Sequence, residues 1–160
     1  MPITPEQFRE AMRQWASGVS IVTTRREGGL QGITVSSFCS LSLDPPLVLI
    51  CIDGDTRSHA LIAKERAFAV NILRDDQQEI SDRAAGRFGD EGAWLEGIAH
   101  KKAVTGAPIL EDCLAWLDCS LVAQHDGGDH TIYVGRVDAT GASSGRPLLY
   151  YGSRYRKVGR

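Results

Sequence analysis

At 160 residues the chain is long enough for one domain with a substantial core, and 42% hydrophobic with 24% charged residues is an ordinary globular balance. A net charge of −2 with no Lys/Arg run gives no basic surface for nucleic acid. No apolar stretch approaches the length of a membrane span, and the polar start, Met1 to Glu10, lacks the apolar region of a secretory signal.

The elements follow in chain order. Thr4-Pro-Glu-Gln7 is a helix start, with a Thr cap, Pro at the first position and Gln three residues on. Phe8, Ala11, Met12, Trp15 and Ala16 keep helical spacing, which predicts one buried face, and Gly18 is the expected stop. Val19 to Thr24 and Leu30 to Ser37 read as a hairpin around Glu27-Gly-Gly29. A Ser-rich bend and the Pro45-Pro46 break separate it from the apolar strand Leu47 to Ile52. Asp53 to Ser58 is a loop leading into a short helix, Ser58 to Arg66.

Phe68 to Leu73 is a further strand, Asp75 to Phe88 a charged helix, and Gly89 to Ala107 Gly-rich and irregular. Ala115 to His125 and Thr131 to Thr140 flank the turn Asp126-Gly-Gly-Asp129. Leu148 to Tyr151 is short and β-like, and the basic tail after it is expected to be peripheral. Strand and helix do not alternate strictly. About six strands with inserted helices therefore favour a mainly β fold, a small barrel, over a doubly wound parallel sheet.

Four cysteines, Cys39, Cys51, Cys113 and Cys119, form no CxxC pair and have no histidine at zinc-finger spacing. They read as reduced thiols of a cytoplasmic protein, and no metal site is expected. No GxGxxG follows a strand, and no P-loop or GxSxG elbow between strand and helix is evident, so any chemistry is expected to belong to a bound cofactor.

Three places offer contacts for one. The loop before the second helix pairs a helix N-terminus with Thr56, Arg57 and Ser58, which suits a phosphate, although Thr56 or Ser58 equally serves as a plain cap. Asp53 and Asp55 oppose an anion there. Thr34, Ser36, Ser37 and Ser40 put hydroxyls at a strand end, for a polar heterocycle edge or simply for solvent. Gly127-Gly-Asp-His130 makes a turn, in which His130 has no turn role. Among Tyr150, Tyr151 and Tyr155 at least one should be core, Trp94 and Trp116 should pack, and Asp75, Asp76, Glu79 and Asp82 read as a solvated face.

In their order along the chain, these segments resemble the flavin reductase family, which includes the small components that supply reduced flavin to two-component monooxygenases. The likeness runs through Gly32-Ile-Thr-Val-Ser-Ser-Phe38, Ser40-Leu-Ser-Leu-Asp-Pro-Pro-Leu-Val48, Phe68-Ala-Val-Asn-Ile-Leu73, Gly106-Ala-Pro108, Gly128-Asp-His-Thr-Ile-Tyr-Val-Gly135 and Pro147-Leu-Leu-Tyr-Tyr151. It spans nearly the whole chain, residues 1–160, as a single domain.

The resemblance implies a split β-barrel with a Greek-key core, the FMN-binding split barrel, working as a homodimer with flavin near the subunit interface. It implies FMN or FAD as the flavin and NADH, with NADPH possible, as reductant. Thr34, Val35, Ser36 and Ser37 would contact the flavin ring and ribityl chain, and Cys51, Ile52 and Asp53 would line the same cleft. Thr56 and Ser58 would lie near the phosphate, and Arg87 and Phe88 beside flavin or dinucleotide. His130 would hold the nicotinamide, with Tyr155 close to that pocket. A separate flavin-dependent monooxygenase would be the partner. The competing readings are a flavin carrier or sensor without turnover, and a reductase of another acceptor on the same site. Asp55 departs from the hydroxyl common at its position, and Gly152 from a basic residue, which Arg154 or Arg156 would replace.

Overall fold

A computed structural model describes residues 2–87 and 97–159. The elements are α1 (Pro5–Met12), β1 (Ser17–Gly18), β2 (Ser20–Arg26), β3 (Gly29–Val35), β4 (Phe38–Leu43) and β5 (Pro46–Asp53), then α2 (Arg57–Glu65), β6 (Ala67–Ile72) and α3 (Gln78–Ala84). They end with β7 (His100–Lys101), β8 (Ile109–Leu110), β9 (Ala115–Gly127), β10 (His130–Ala142), β11 (Leu148–Tyr151) and β12 (Arg154–Lys157). The fold is mainly β, as expected. Among the described residues no helix is long and apolar enough to cross a membrane.

Seven antiparallel strands form one sheet in the order β3-β2-β6-β9-β10-β5-β4. Alternation explains how it curls. Val22, Val35, Ile50, Ile52, Phe68, Val70, Leu121 and Tyr133, drawn from six of these strands, meet in one cluster with Ile62 of α2. Residues of the opposite parity on β2, such as Ile21, turn to a second cluster with Leu73, Ala84, Leu110 and Leu148. With both faces covered, β2 and β6 read as nearly continuous buried runs. The edges β3 and β4 are joined by Ser36-Ser37 alone, and no ladder pairs them.

Buried polar groups tie the outer segments to this sheet. Asn71 Nδ2 donates to the Ile21 carbonyl (2.9 Å) and to Thr23 Oγ1 (3.0 Å), while its Oδ1 accepts from Leu110 N (2.8 Å). The buried Asp118 carboxylate accepts from the amides of Val104 (2.7 Å) and Thr105 (2.9 Å), as well as from the Thr105 hydroxyl. Every one of these groups would carry a desolvation cost if left unmet.

Four expectations change. The capping box at Thr4 and Gln7 forms, but α1 ends at Met12 and buries no residue; Phe8, Met12 and Trp15 are exposed. Its apolar spacing is real, yet among the described residues no other element covers that face. The Ser-rich bend is strand β4, because Phe38 to Leu43 pair with β5 around a bulge at Ser40/Ser42. The charged helix shrinks to Gln78–Ala84, and Asp82 is largely covered through its ion pair with Arg87 (2.9 Å). The basic tail is strand β12, paired with β11.

Candidate functional site

The predicted site residues fall into two groups that meet at the Ser36-Ser37 link. The first surrounds a cavity of about 180 Å³ lined by Val19, Thr34, Val35, Ser36, Arg87 and Tyr155, together with Ala85 and Tyr150. Thr34 is here, but its hydroxyl is already used, donating to the Ser81 carbonyl (2.7 Å). Tyr155 and Tyr150 pack edge to face at 5.5 Å because β11 and β12 place them directly opposite each other. The Tyr155 hydroxyl hydrogen-bonds Ser81 Oγ at 2.7 Å, and the Arg87 guanidinium lies 5.7 Å over its ring. Burial first, then the charge of Asp82, raises the Tyr155 pKa; the Ser81 bond and Arg87 oppose them without winning. The phenol is therefore a neutral hydrogen-bonding group at neutral pH.

The second group gathers the start of α2 and the β9–β10 hairpin. Ser37 joins it, since its backbone carbonyl accepts from Cys51 N (3.1 Å) and its hydroxyl donates to the Cys51 carbonyl (2.7 Å). Alternation on β5 sends Ile52 into the core, 1% exposed, and turns Cys51 and Asp53 to the other face. Ile52 can thus line a cleft only with its backbone. Burial, and next the Cys39 thiol, raises the Cys51 pKa, so Cys51 is a neutral thiol and not a nucleophile.

Thr56 takes the capping role: its Oγ1 accepts from His59 N (3.3 Å) and donates to the Asp53 carbonyl (2.8 Å). Asp53 Oδ1 accepts from Asp55 N (2.9 Å), which occupies that carboxylate within its own turn. Ser58, in the first turn of α2, is 1% exposed, and its hydroxyl has no hydrogen-bond partner among the described residues.

Gly128 supplies φ +79° at the first turn position of the β9–β10 hairpin, and Gly54 N donates to the Asp129 carbonyl (3.0 Å). That bond holds the hairpin tip against the α2 loop. His130 stands directly opposite Asp53, with Nδ1 2.6 Å from Asp129 Oδ1. The hydrogen bond from His130, then its charge, lowers the Asp129 pKa, so the carboxylate is the acceptor and Nδ1 carries the proton. In the neutral ring Nε2 is then the acceptor. His130 stands beside Asp53 and Gly54, and Tyr155 beside Ser81 and Tyr150. Phe88 lies outside the described residues.

Sequence reasoning missed Ser81, which bridges Thr34 to Tyr155, and His59, whose Nε2 lies 2.9 Å from Thr131 Oγ1. Ile80 and Ala84, four apart on α3, were the available signal that this helix has a buried side next to Ser81. A roomier cavity of about 570 Å³, between Arg74, Lys101, Cys113, Trp116 and Ser143, contains none of the expected residues and mixes both signs of charge. Trp116 does pack, with Lys101 Nζ 5.0 Å over its ring.

The scaffold is a mainly β protein with a cavity between the Thr34–Ser36 strand end and the edge-to-face pair Tyr150 and Tyr155. Residues 12–159 match the family described as the flavin reductase like domain, and the chain belongs to it. Similar proteins include the reductase subunit HsaB of a flavin-dependent monooxygenase from Rhodococcus jostii (strain RHA1), 42% identical over 154 residues, 96% of this chain and 77% of that one. An NADH-dependent flavin reductase from a Rhodococcus species is 36% identical, covering 98% of this chain and 88% of its own. The flavin reductase PheA2 in its native state superposes with a TM-score of 0.91 at 31% identity, over 99% of this chain and all of that one.

Proposed function

We propose that the protein is an NADH-dependent flavin reductase that supplies reduced FMN or FAD to a separate flavin-dependent monooxygenase. The observation that carries this is the cavity of Thr34, Val35, Ser36, Arg87 and Tyr155 in a chain of the flavin reductase family. The residues fit a flavin. Ser58 has a buried hydroxyl without a partner among the described residues, in the first turn of α2 at the positive end of that helix, which suits a phosphate. The bound flavin supplies the ring that accepts hydride from the nicotinamide.

The chain's own residues bind and orient. The Ser36-Ser37 link and the backbone of Cys51 and Ile52 form one wall, while Arg87 and Tyr155 close the other and exclude water. Asp53 and Thr56 shape the loop beside the phosphate. His130 presents Nε2 as an acceptor for the donors of the nicotinamide half, its ring aimed by Asp129. His130→Ala is expected to raise KM for NADH about tenfold, the loss of one good hydrogen bond, and to leave flavin affinity near the wild-type value. Equal KM values for NADH would remove His130 from this role.

The reading carries a single flavin reductase-like domain with the split β-barrel and Greek-key core, supported by the six strands that send residues into one cluster. It also carries a homodimer, supported by the exposed apolar side chains of Phe8, Leu41 and Leu43. A cytoplasmic setting agrees with four cysteines all outside disulfides. The test is NADH oxidation by flavin-stripped protein with and without added FMN or FAD. Flavin-dependent oxidation is expected; flavin binding without oxidation would replace the reductase with a carrier.

A further inference from the structure

The chain leaves α3 by a tight turn. Gly86 N donates to the Arg83 carbonyl (2.9 Å) and Arg87 N to the Asp82 carbonyl (3.2 Å), while Gly86 takes φ +74°. Two nested bonds around a left-handed glycine make a Schellman motif, and they bring residue 87 back alongside residue 82. The side chains then meet, with Arg87 Nη1 2.9 Å from Asp82 Oδ1. Gln78 Nε2, one turn earlier on α3, donates to Asp82 Oδ2 at 3.5 Å.

The two partners differ in exposure. The Asp82 side chain is 16% exposed and stands outside the cavity wall, whereas that of Arg87 is 53% exposed and lines the cavity with Tyr155. Asp82 Oδ1 makes no directed hydrogen bond among the described residues, so its hold on Arg87 is electrostatic. A guanidinium has five N–H donors, and one carboxylate does not exhaust them. A half-open ion pair adds little to folding stability. What this one fixes is place. A half-exposed arginine without a carboxylate beside it spreads over many rotamers, while here the guanidinium lies 5.7 Å over the Tyr155 ring. Donors held in advance lose less freedom when a ligand's carbonyl or phosphate oxygens arrive.

We propose that Asp82 is a positioning residue of the cavity beside Tyr155, acting through Arg87 to hold donors ready for oxygen atoms of the bound flavin or dinucleotide. The inference rests on the reductase reading of that cavity and deepens it. Flavin and NADH both present such oxygens, and the test separates them.

The test is a double-mutant cycle on FMN affinity, read by quenching of flavin fluorescence in wild type, Asp82→Asn, Arg87→Gln and the double variant. Arg87→Gln is expected to weaken FMN about tenfold and Asp82→Asn about three- to tenfold, with the double variant no weaker than Arg87→Gln alone. The Tm of Asp82→Asn should stay near the wild-type value, since the pair is half open. The same non-additive pattern in KM for NADH, with kcat and FMN affinity kept, assigns the device to the dinucleotide. Effects that add overturn the proposal, because Asp82 then acts without Arg87. Tighter FMN binding by Asp82→Asn also overturns it, since the carboxylate would then compete with the ligand for Arg87. So do wild-type FMN affinity and NADH KM in Asp82→Asn. If Asp82→Asn does not fold, Asp82→Glu carries the same cycle: its longer carboxylate displaces the guanidinium, and its effect must vanish beside Arg87→Gln. A protein that shows the cycle with FMN but oxidises no NADH overturns the reductase reading alone.

Discussion

Replacing Ser58 by Ala should make the flavin-free protein more stable and the flavin complex weaker. The hydroxyl is buried, 1% exposed, and makes no hydrogen bond. A buried unmet polar group costs about 1–3 kcal/mol, and Ala in place of Ser in a helix adds a few tenths in its favour. The small void left by the oxygen offsets part of this, so the net gain is about 1–2 kcal/mol. For a chain of this size that raises the flavin-free Tm by roughly 2–8 °C. If the flavin phosphate is the missing partner, the variant loses a hydrogen bond to a charged group, about 1.5–3 kcal/mol gross. Because solvent does not reach the hydroxyl, the Asp53–Thr56 loop must give way first, and that lowers the net loss. FMN affinity should therefore fall about tenfold, measured by quenching of flavin fluorescence beside thermal melts of both proteins. A lower Tm for the variant would mean the hydroxyl is already satisfied. Equal FMN affinity would remove Ser58 from the phosphate site.

Two further predictions concern the frame. A Cβ on Gly135 would meet Phe68 Cζ at 2.5 Å and Cys119 Cβ at 3.0 Å, and the Phe68 ring is fully buried. Gly135→Ala should cost about 1–3 kcal/mol in urea unfolding, while Gly29→Ala, with nothing within 4 Å, serves as the open-space control; equal effects would refute the packing argument. Burial, then the carboxylates of Asp118 and Asp138, pushes the Cys119 thiol up to about 12. Since the folded value is raised, its contribution is intact below the unfolded thiol's value near 8.5 and is lost as pH rises toward 12. Unfolding free energy should decline by about 1.4 kcal/mol per pH unit in that window from this thiol. Urea melts at several alkaline pH values should show a flatter decline for Cys119→Ala, and parallel lines for the two proteins would refute the assignment.

The strands and turns were legible because their signals are local. Short apolar runs marked β5 and β6, Gly128 marked the hairpin, and the Thr4 cap box formed as written. Longer-range facts were hidden. Phe38 to Leu43 looks like a bend until β5 is there to pair with it, and the apolar stripe of α1 does not say whether this chain or another molecule covers it. The site shows the same division. Residue types near Thr34 and Ser58 drew attention to hydroxyls, but a sequence cannot show which of them are already engaged. Thr34 and Thr56 turned out to be bonded internally, whereas Ser58 did not. Ser81 escaped notice because its role depends on strand β12 returning Tyr155 to it across 74 residues.

The position of the site follows from how the sheet ends. Six strands fill one core, yet β3 and β4 do not pair with each other, and the chain crosses between them in two residues. Ser37 resolves its side of the crossing by bonding Cys51 twice, through its carbonyl and its hydroxyl. Ser36, one residue earlier, is left exposed at the border of the cavity beside Tyr155. A strand edge that stops pairing invites another partner, and proteins cover such edges or put them to use. Here the seam is flanked by Arg87 and Tyr155 on one side and by Asp53 and His130 on the other. A reaction that needs two flat rings held face to face asks for little acid–base chemistry and much positioning. In the proposed site, an open seam between rigid strands, bordered by Arg87 and Tyr155, would supply that positioning from the backbone, which single side-chain substitutions perturb least.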